Sequence, residues 1–92
     1  IIQRSPKLND RAMAEIYDEM TDTYHFMKDY NNSLLYGQLA LQTKERYLPN
    51  KHPEIGVAYE VLGMVYRQKG DYYSSLVSYE KALDIKQHVL PE

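Results

Sequence analysis

Apolar residues recur along the chain at the spacing of an α-helix rather than in the alternating pattern of a strand. Residues three and four apart share one side of a helix, so each apolar series predicts one packed helical face. The two clearest series run through residues 53–69 and through the segment that follows the sequence KGDY. Their members are Ile55, Tyr59, Leu62, Val65 and Tyr66, and then Leu76, Tyr79, Leu83, Val89 and Leu90. The predicted fold class is therefore all-α.

Turn-forming residues predict where these helices begin and end. Proline is tolerated in the first turn of a helix, which suits Pro53, and glycine adopts the left-handed conformation that closes a helix, which suits Gly70. Asp71 is then placed to cap the helix that follows. The predicted helices cover residues 10–27, 32–47, 53–69 and 73–90. Because the connections between them are short, consecutive helices are expected to pack antiparallel as hairpins.

The chain repeats itself at an offset of 42 residues. The sequence KDYNNSLLYGQLAL, which begins at Lys28, returns as GDYYSSLVSYEKAL, which begins at Gly70. A fixed period of this length is the sequence signature of stacked repeats, in which each hairpin packs on the next. We predict two repeats, at residues 9–50 and 51–92, and interpret residues 1–8 as a linker or the tail of a preceding repeat.

Composition excludes several classes of function. The 92 residues carry a net charge of −2, which gives no reason to expect nucleic acid or an anionic membrane as the partner. There is no cysteine, which excludes disulfides, thiol nucleophiles and thiolate zinc sites. No apolar run approaches the ~20 residues that cross a bilayer. Ten tyrosines stand against one phenylalanine and no tryptophan, which suits shallow packing seams that are wet at one edge.

The repeat resembles the tetratricopeptide repeat, a helical hairpin with large and small residues at fixed positions. With Gly56 as the first position, the second repeat supplies Tyr59, Leu62, Gly63, Tyr66, Tyr72, Ser75, Tyr79 and Ala82. With Ala14 as the first position, the first repeat supplies Tyr17, Met20, Thr21, Tyr24, Tyr30, Ser33, Gly37 and Ala40. The 42-residue length and the linker LPNKHPEI resemble the subgroup found in kinesin light chains. The resemblance covers nearly the whole chain and implies stacked antiparallel hairpins, a fragment of an α-solenoid.

Gly37 departs from this pattern, because a large side chain belongs where Tyr79 stands in the other repeat. A glycine inside a helix costs about 1 kcal/mol against alanine and leaves a gap. Either a neighbouring repeat fills the gap, or the first hairpin is the softer of the two. The alignment also predicts five largely buried residues and a cost of roughly 3–5 kcal/mol for Tyr79→Ala. The five are Tyr59, Leu62, Tyr66, Tyr79 and Leu83.

Four polar residues of the first predicted helix, spaced three, four and three apart, share one side of it. They are Glu15, Asp18, Asp22 and His25. The resemblance implies that these positions line a concave peptide-binding groove, to which the second repeat contributes a matching set. That set is Val57, Glu60, Met64 and Arg67. Three interpretations stay open: a solvated acidic face, an anionic groove for a basic or amphipathic peptide, and a metal site formed by Asp18, Asp22 and His25.

Acidic residues are concentrated around the first helix. Residues 10–31 include six acids and two bases, a net charge of −4, whereas the whole chain carries −2. A cleft lined by one sign of charge favours ligands of the opposite sign. We therefore expect a groove ligand to carry Lys or Arg side chains, with Phe26 and Met64 offering apolar contact beside the acids.

The predicted function is that of a protein-interaction module within a larger tetratricopeptide scaffold. It would bind a protein or peptide, without cofactor, metal, nucleic acid or membrane, and its expected location is cytoplasmic. None of the three histidines has a serine or cysteine placed to suggest a nucleophile, so no enzymatic activity is predicted. The alternative is a structural spacer or oligomerisation segment with an unused groove. Uncovered apolar ends of a two-repeat stack favour self-association or marginal stability.

Overall fold

The computed structural model describes residues 6–89 of the chain, and the side chains of residues 9–88. Four helices account for most of this range: α1 (Pro6–Phe26), α2 (Tyr30–Tyr47), α3 (Pro53–Lys69) and α4 (Tyr72–Val89). The all-α prediction is confirmed, and the helix bounds agree closely except that α1 begins at Pro6 rather than at Asp10. The predictions made for residues 1–5 and 90–92 lie outside the described residues. The division into two repeats at residue 50 stays a prediction.

The predicted helix ends are present, and they recur at the 42-residue offset. Gly70 is left-handed with φ 99°, and Lys28, its counterpart in the first hairpin, is left-handed with φ 63°. Asp71 accepts a hydrogen bond from the Ser74 amide at 3.1 Å, which caps α4. Hydrogen bonds from the Ser74 side chain and from its amide lower the pKa of the Asp71 carboxyl. Asp29 caps α2 in the same way, accepting from the Asn32 amide. The two hairpins therefore turn by the same local chemistry.

His52 caps α3 from the preceding linker. Its Nδ1 accepts a hydrogen bond from the Glu54 amide at 3.0 Å, and Pro53 occupies the first turn of the helix. One of the amide groups that a helix start leaves without a partner is thereby satisfied. The histidine of the linker is a structural residue, as its place before Pro53 indicates.

The helices form two antiparallel hairpins, α1 with α2 and α3 with α4, and the second hairpin stacks on the first through α2 and α3. The core lies mainly along this α2–α3 junction. Its buried members are Leu34, Leu41, Ile55, Ala58, Leu62, Val65 and Ile85. This arrangement is a tetratricopeptide-like α-solenoid fragment, because each hairpin buries its apolar face only against its neighbour.

Small residues set how closely the helices of each hairpin approach. The Ser33 hydroxyl donates to the Thr21 carbonyl at 2.9 Å, and the Ser75 hydroxyl donates to the Gly63 carbonyl at 2.7 Å. These two bonds join α1 to α2 and α3 to α4 at matching positions of the repeat. Both serines are buried, so each bond also satisfies a hydroxyl that has left water.

The gap predicted at Gly37 is filled by the neighbouring hairpin. A Cβ on Gly37 would lie 2.9 Å from Cδ2 of Leu62 and 3.5 Å from Cγ2 of Thr21. Leu62 of α3 therefore occupies the space in which a large residue of α2 would otherwise sit. Of the two possibilities raised by the sequence, the structure shows the first: the second repeat fills the gap at Gly37.

The burial prediction is correct for Leu62 and wrong for Tyr79 and Leu83. Leu62 is 4% exposed, whereas Tyr79 is 37% and Leu83 54% exposed. Tyr59 and Tyr66 are half-buried.

The physical reason is that α4 turns mainly small residues, together with Ile85, towards α3, and leaves one side of Tyr79 and most of Leu83 in solvent. The buried residues of α4 are Ser75, Ser78, Ala82 and Ile85. Leu76, which the sequence placed on a packed face with Tyr79 and Leu83, is also exposed. On α2 the corresponding positions are covered by α3, whereas within residues 6–89 only α3 packs extensively on α4.

The Tyr79 ring nevertheless lies where the repeat alignment requires, against Gly63. A Cβ on Gly63 would approach the ring to 3.1 Å. Because its outer side meets solvent, Tyr79→Ala is now expected to cost less than the roughly 3–5 kcal/mol of a fully buried aromatic residue.

Candidate peptide-binding groove

Two adjoining clefts lie between α1 and α3, with α2 behind them. The first has a volume of about 220 Å³ and is lined by Asp18, Thr21, Asp22, Gly37, Lys44, Val57, Ala58 and Val61. The second, at the C-terminal ends of the two helices, has a volume of about 490 Å³ and is lined by Asp22, His25, Phe26, Lys28, Tyr30 and Gln68. Because Asp22 belongs to both, we treat them as one feature, called here the α1–α3 groove.

The groove contains some of the residues predicted for it. Asp18, Asp22 and Val57 line the first cleft, and His25 and Phe26 line the second. The remaining predicted residues line neither cleft; they are Glu15, Glu60, Met64 and Arg67. Lys44, which comes from α2 and was not predicted as a site residue, lies in the first cleft and is buried.

An ion pair neutralises Asp18. The Lys44 ammonium lies 2.9 Å from Oδ2 of Asp18, and the lysine side chain is almost entirely buried between α1 and α2. An ammonium removed from water needs a close carboxylate to offset its desolvation. Asp18 therefore stabilises Lys44 and contributes little net negative charge to the groove.

The same ion pair recurs in the second hairpin. Lys86 of α4 pairs with Glu60 of α3, and both residues stand 42 positions after Lys44 and Asp18. Lys86 is much more exposed than Lys44, whereas Glu60 is somewhat less exposed than Asp18. Glu60, which the sequence assigned to the groove, is thus also engaged by a lysine of its own hairpin.

His25 joins the two walls of the groove. Its Nε2 forms a hydrogen bond with the Oε1 atom of Gln68, which belongs to α3. Its ring also lies 6.2 Å from that of Tyr30. His25 therefore links the two hairpins through a side-chain hydrogen bond.

The acids that remain for a ligand are on α1. Asp22 is exposed, and Glu15, two helical turns earlier, is exposed on the same side of the helix. Neither forms an ion pair with another of residues 9–88. The facing wall on α3 is apolar, with Val57 53% exposed and Val61 half-buried. In the first cleft the groove thus has one acidic wall and one apolar wall, whereas Lys28 and Gln68 add polar side chains to the second cleft.

Comparison with known proteins identifies the repeat. Residues 10–88 match the tetratricopeptide repeat family. The chain belongs to the tetratricopeptide repeat family. No curated protein matches the chain. The kinesin-light-chain-like subgroup stays a prediction from the repeat length and the linker.

Membership of the tetratricopeptide repeat family indicates a protein–protein interaction module. Members of the family are generally non-enzymatic scaffolds. Within the described residues, no three His, Asp or Glu side chains stand close enough together to hold a metal ion. None of the helices α1 to α4 is long and apolar enough to cross a membrane.

The tetratricopeptide hairpins also form a groove on the opposite side, between α2 and α4. A cleft of about 430 Å³ opens there, with Tyr59 on its floor and Lys81 above the tyrosine ring at 5.4 Å. Burial, and the Glu45 carboxylate beside the hydroxyl, raise the pKa of Tyr59. Sequence reasoning did not point to this surface, because it assigned Ile55 and Tyr59 to the core and the other lining residues come from α2, the linker and α4.

Proposed function

We propose that this chain is a protein-interaction module whose α1–α3 groove binds a partner segment that carries both basic and apolar side chains. The observation that supports this most is the position of Asp22. Its exposed carboxylate belongs to both clefts, and in the first cleft it faces Val57 and Val61 across the groove.

The charge of the ligand follows from which acids are already paired. Lys44 and Lys86 engage Asp18 and Glu60, so only part of the acidic set predicted from the sequence remains to attract a ligand. Asp22 keeps the α1 wall negative, and Glu15, which lies outside both clefts on the same side of α1, adds to the negative charge there. A carboxylate at the edge of a low-dielectric cleft attracts a Lys or Arg side chain more strongly than one on an open surface does.

The apolar part of the ligand follows from Phe26 and the α3 wall. Phe26 is 88% exposed at the end of the groove, next to Asp22 in the second cleft. Covering an exposed phenylalanine contributes about 2 kcal/mol. A purely basic peptide would leave this surface, together with Val57, in water.

The predicted alternative, a structural spacer with an unused groove, has no comparable feature in the groove to support it. Its oligomerisation variant rests on different surfaces, the outer sides of α1 and α4. The cytoplasmic location and the part played in a larger scaffold stay predictions.

Three designed helical peptides test the proposal by fluorescence anisotropy. The first carries lysines on one face and leucines on the other, the second has glutamates in place of the lysines, and the third has serines in place of the leucines. We expect the first to bind most tightly, because only it matches both walls. Its affinity should fall between about 0.1 M and about 1 M salt, over which the Debye length shortens from about 10 Å to about 3 Å. Equal binding of the first two peptides would contradict the proposal.

Reversing the charges of Asp22 and Glu15 tests whether the Lys/Leu peptide binds at the α1–α3 groove. Asp22→Lys combined with Glu15→Lys should weaken binding of the Lys/Leu peptide by roughly tenfold or more, since two negative charges on one side of α1 become positive. The matched control is Glu80→Lys, an exposed acid on α4 that lies outside the α1–α3 groove. Circular dichroism establishes that each variant is folded. Unchanged affinity in a folded double variant would assign these acids to ordinary solvated surface.

A further inference from the structure

Two helices carry a row of apolar residues that no other part of the described chain covers well. On α4 the row is Tyr72, Leu76, Tyr79 and Leu83, all exposed and spaced four, three and four apart, so that they share one side of the helix. We call it the α4 stripe. On α1 the row is Met13, Ile16 and Met20, of which the first two are exposed and the third half-buried. We call it the α1 stripe.

The internal repeat indicates what each stripe is shaped to contact. Residues 42 positions before the α4 stripe are Tyr30, Leu34, Gly37 and Leu41, the side of α2 that packs on α3. Residues 42 positions after the α1 stripe are Ile55, Ala58 and Leu62, the side of α3 that packs on α2. The two uncovered stripes thus correspond to the two halves of the α2–α3 junction.

We propose that the α4 stripe of one copy of this chain binds the α1 stripe of a second copy, in the arrangement by which α2 binds α3. The two copies would then stack head to tail, and each would retain one free stripe. The contact is heterologous, so it leads to chains of copies rather than to closed dimers.

One position differs between the α2–α3 junction within a chain and the proposed contact between the stripes of two copies. Leu62 fits into the space left by Gly37, whereas Met20 would meet Tyr79, which leaves no such space. Methionine adapts its shape more readily than leucine and makes favourable contacts with the edge of an aromatic ring. Met20 can therefore adjust its shape to lie beside the Tyr79 ring.

A polar contact at the edge of the junction has a counterpart too. Within the chain, Nε2 of Gln38 donates to the Tyr66 hydroxyl at 2.8 Å, across α2 and α3. The matching residues are Glu80 on α4 and Tyr24 on α1. A tyrosine hydroxyl donates to a carboxylate, so this pair would replace the amide contact and help fix the register of the two copies.

Stacking of this kind would lengthen the α1–α3 groove. The α3 helix of one copy would lie beside α1 of the next, as α1 and α3 lie within one chain. The association does not depend on the groove ligand. An experiment can therefore contradict the association while the proposed function holds, or contradict the proposed function while the association holds. It also responds differently to salt, because apolar burial is not screened as ion pairs are.

Sedimentation velocity on the 92-residue chain tests the proposal with two blocked variants. Ile16→Lys blocks the α1 stripe, and Leu76→Lys with Leu83→Lys blocks the α4 stripe. For the unaltered chain we expect the weight-average mass to rise at least twofold above that of one chain as concentration increases. Each variant alone should stay at the mass of one chain. An equimolar mixture of the two should reach twice that mass, because each supplies the stripe that the other lacks.

Leu35→Lys is the matched control, since Leu35 is an exposed leucine on α2 outside both stripes, and it should associate like the unaltered chain. If a lysine variant loses its helical circular dichroism, the serine versions Ile16→Ser and Leu76→Ser with Leu83→Ser take its place. A chain that stays monomeric at all concentrations would overturn the proposal. Self-association of the Ile16→Lys variant would also overturn it, because two α4 stripes would then be binding each other. A mixture of the two variants that remains monomeric would overturn it as well.

Discussion

Leu62→Ala is expected to lower the free energy of unfolding by about 3–5 kcal/mol, the upper part of the range for buried leucines. Leu62 lies in the centre of the α2–α3 junction, and its Cδ2 atom fills the space beside Gly37. Because Gly37 has no side chain, nothing at that position can move into the cavity. A loss of this size is a large fraction of the total stability of a small domain.

Urea denaturation followed by circular dichroism measures this loss, and Leu83→Ala is the matched control. The substitution is the same, but Leu83 lies on the outer side of α4 and is more than half exposed. We expect its cost to stay within about 0.5 kcal/mol, at protein concentrations where the chain is monomeric. Comparable losses for Leu62 and Leu83 would mean that the α2–α3 junction is not the core of the fold.

Asp18→Ala is expected to cost about 2 kcal/mol, although Asp18 itself is half exposed. The alanine leaves the ammonium of Lys44 without a counter-ion in a nearly dry position between α1 and α2. Breaking a fully buried pair costs about 3–5 kcal/mol, and the exposure of the Asp18 side reduces that figure.

The second hairpin supplies the control for this ion pair. Glu60→Ala removes the matching carboxylate, but both partners of that pair reach solvent. Exposed pairs contribute about 0–1 kcal/mol, so we expect a loss of that order. The prediction concerns the difference between the two variants in urea denaturation. Equal losses would show that burial of Lys44 has no energetic consequence.

The course of the helices could be predicted from the sequence because their ends are fixed by local chemistry. Gly70, Asp71 and Pro53 act within one or two residues of the chain, and the structure places each at the helix end where it was expected. The start of α1 was missed by four residues, because Pro6 was not recognised as a first-turn proline.

Burial on α4 could not be predicted in the same way. Periodicity shows that Leu76, Tyr79 and Leu83 share one side of a helix, but it does not show whether another helix covers that side. On α2 the equivalent side is covered by α3, and on α4 no helix of the described chain takes that place. The repeat could have indicated the exposure, because this side of α4 corresponds to the side of α2 that is buried only where one hairpin packs on the next.

The peptide-binding groove stays a prediction from the resemblance, and counting acids overstated the negative charge that is free on its α1 side. Counting acids on α1 cannot reveal that Lys44 reaches Asp18 from another helix. A signal was available in the sequence, because an acid and a lysine recur together at the 42-residue offset, at Asp18 and Glu60 and at Lys44 and Lys86. Opposite charges that repeat together indicate an ion pair within each hairpin, not a free acidic surface.

The central claim is that a basic and apolar segment binds between α1 and α3, and NMR titration tests it most directly. The Lys/Leu peptide is added to the ¹⁵N-labelled chain, and the amide shifts are mapped. The account predicts that the largest changes fall on Asp22, Phe26 and Val57. Changes confined to Tyr59, Val77 and Lys81, on the opposite groove, would contradict it, as would a spectrum that the peptide leaves unchanged.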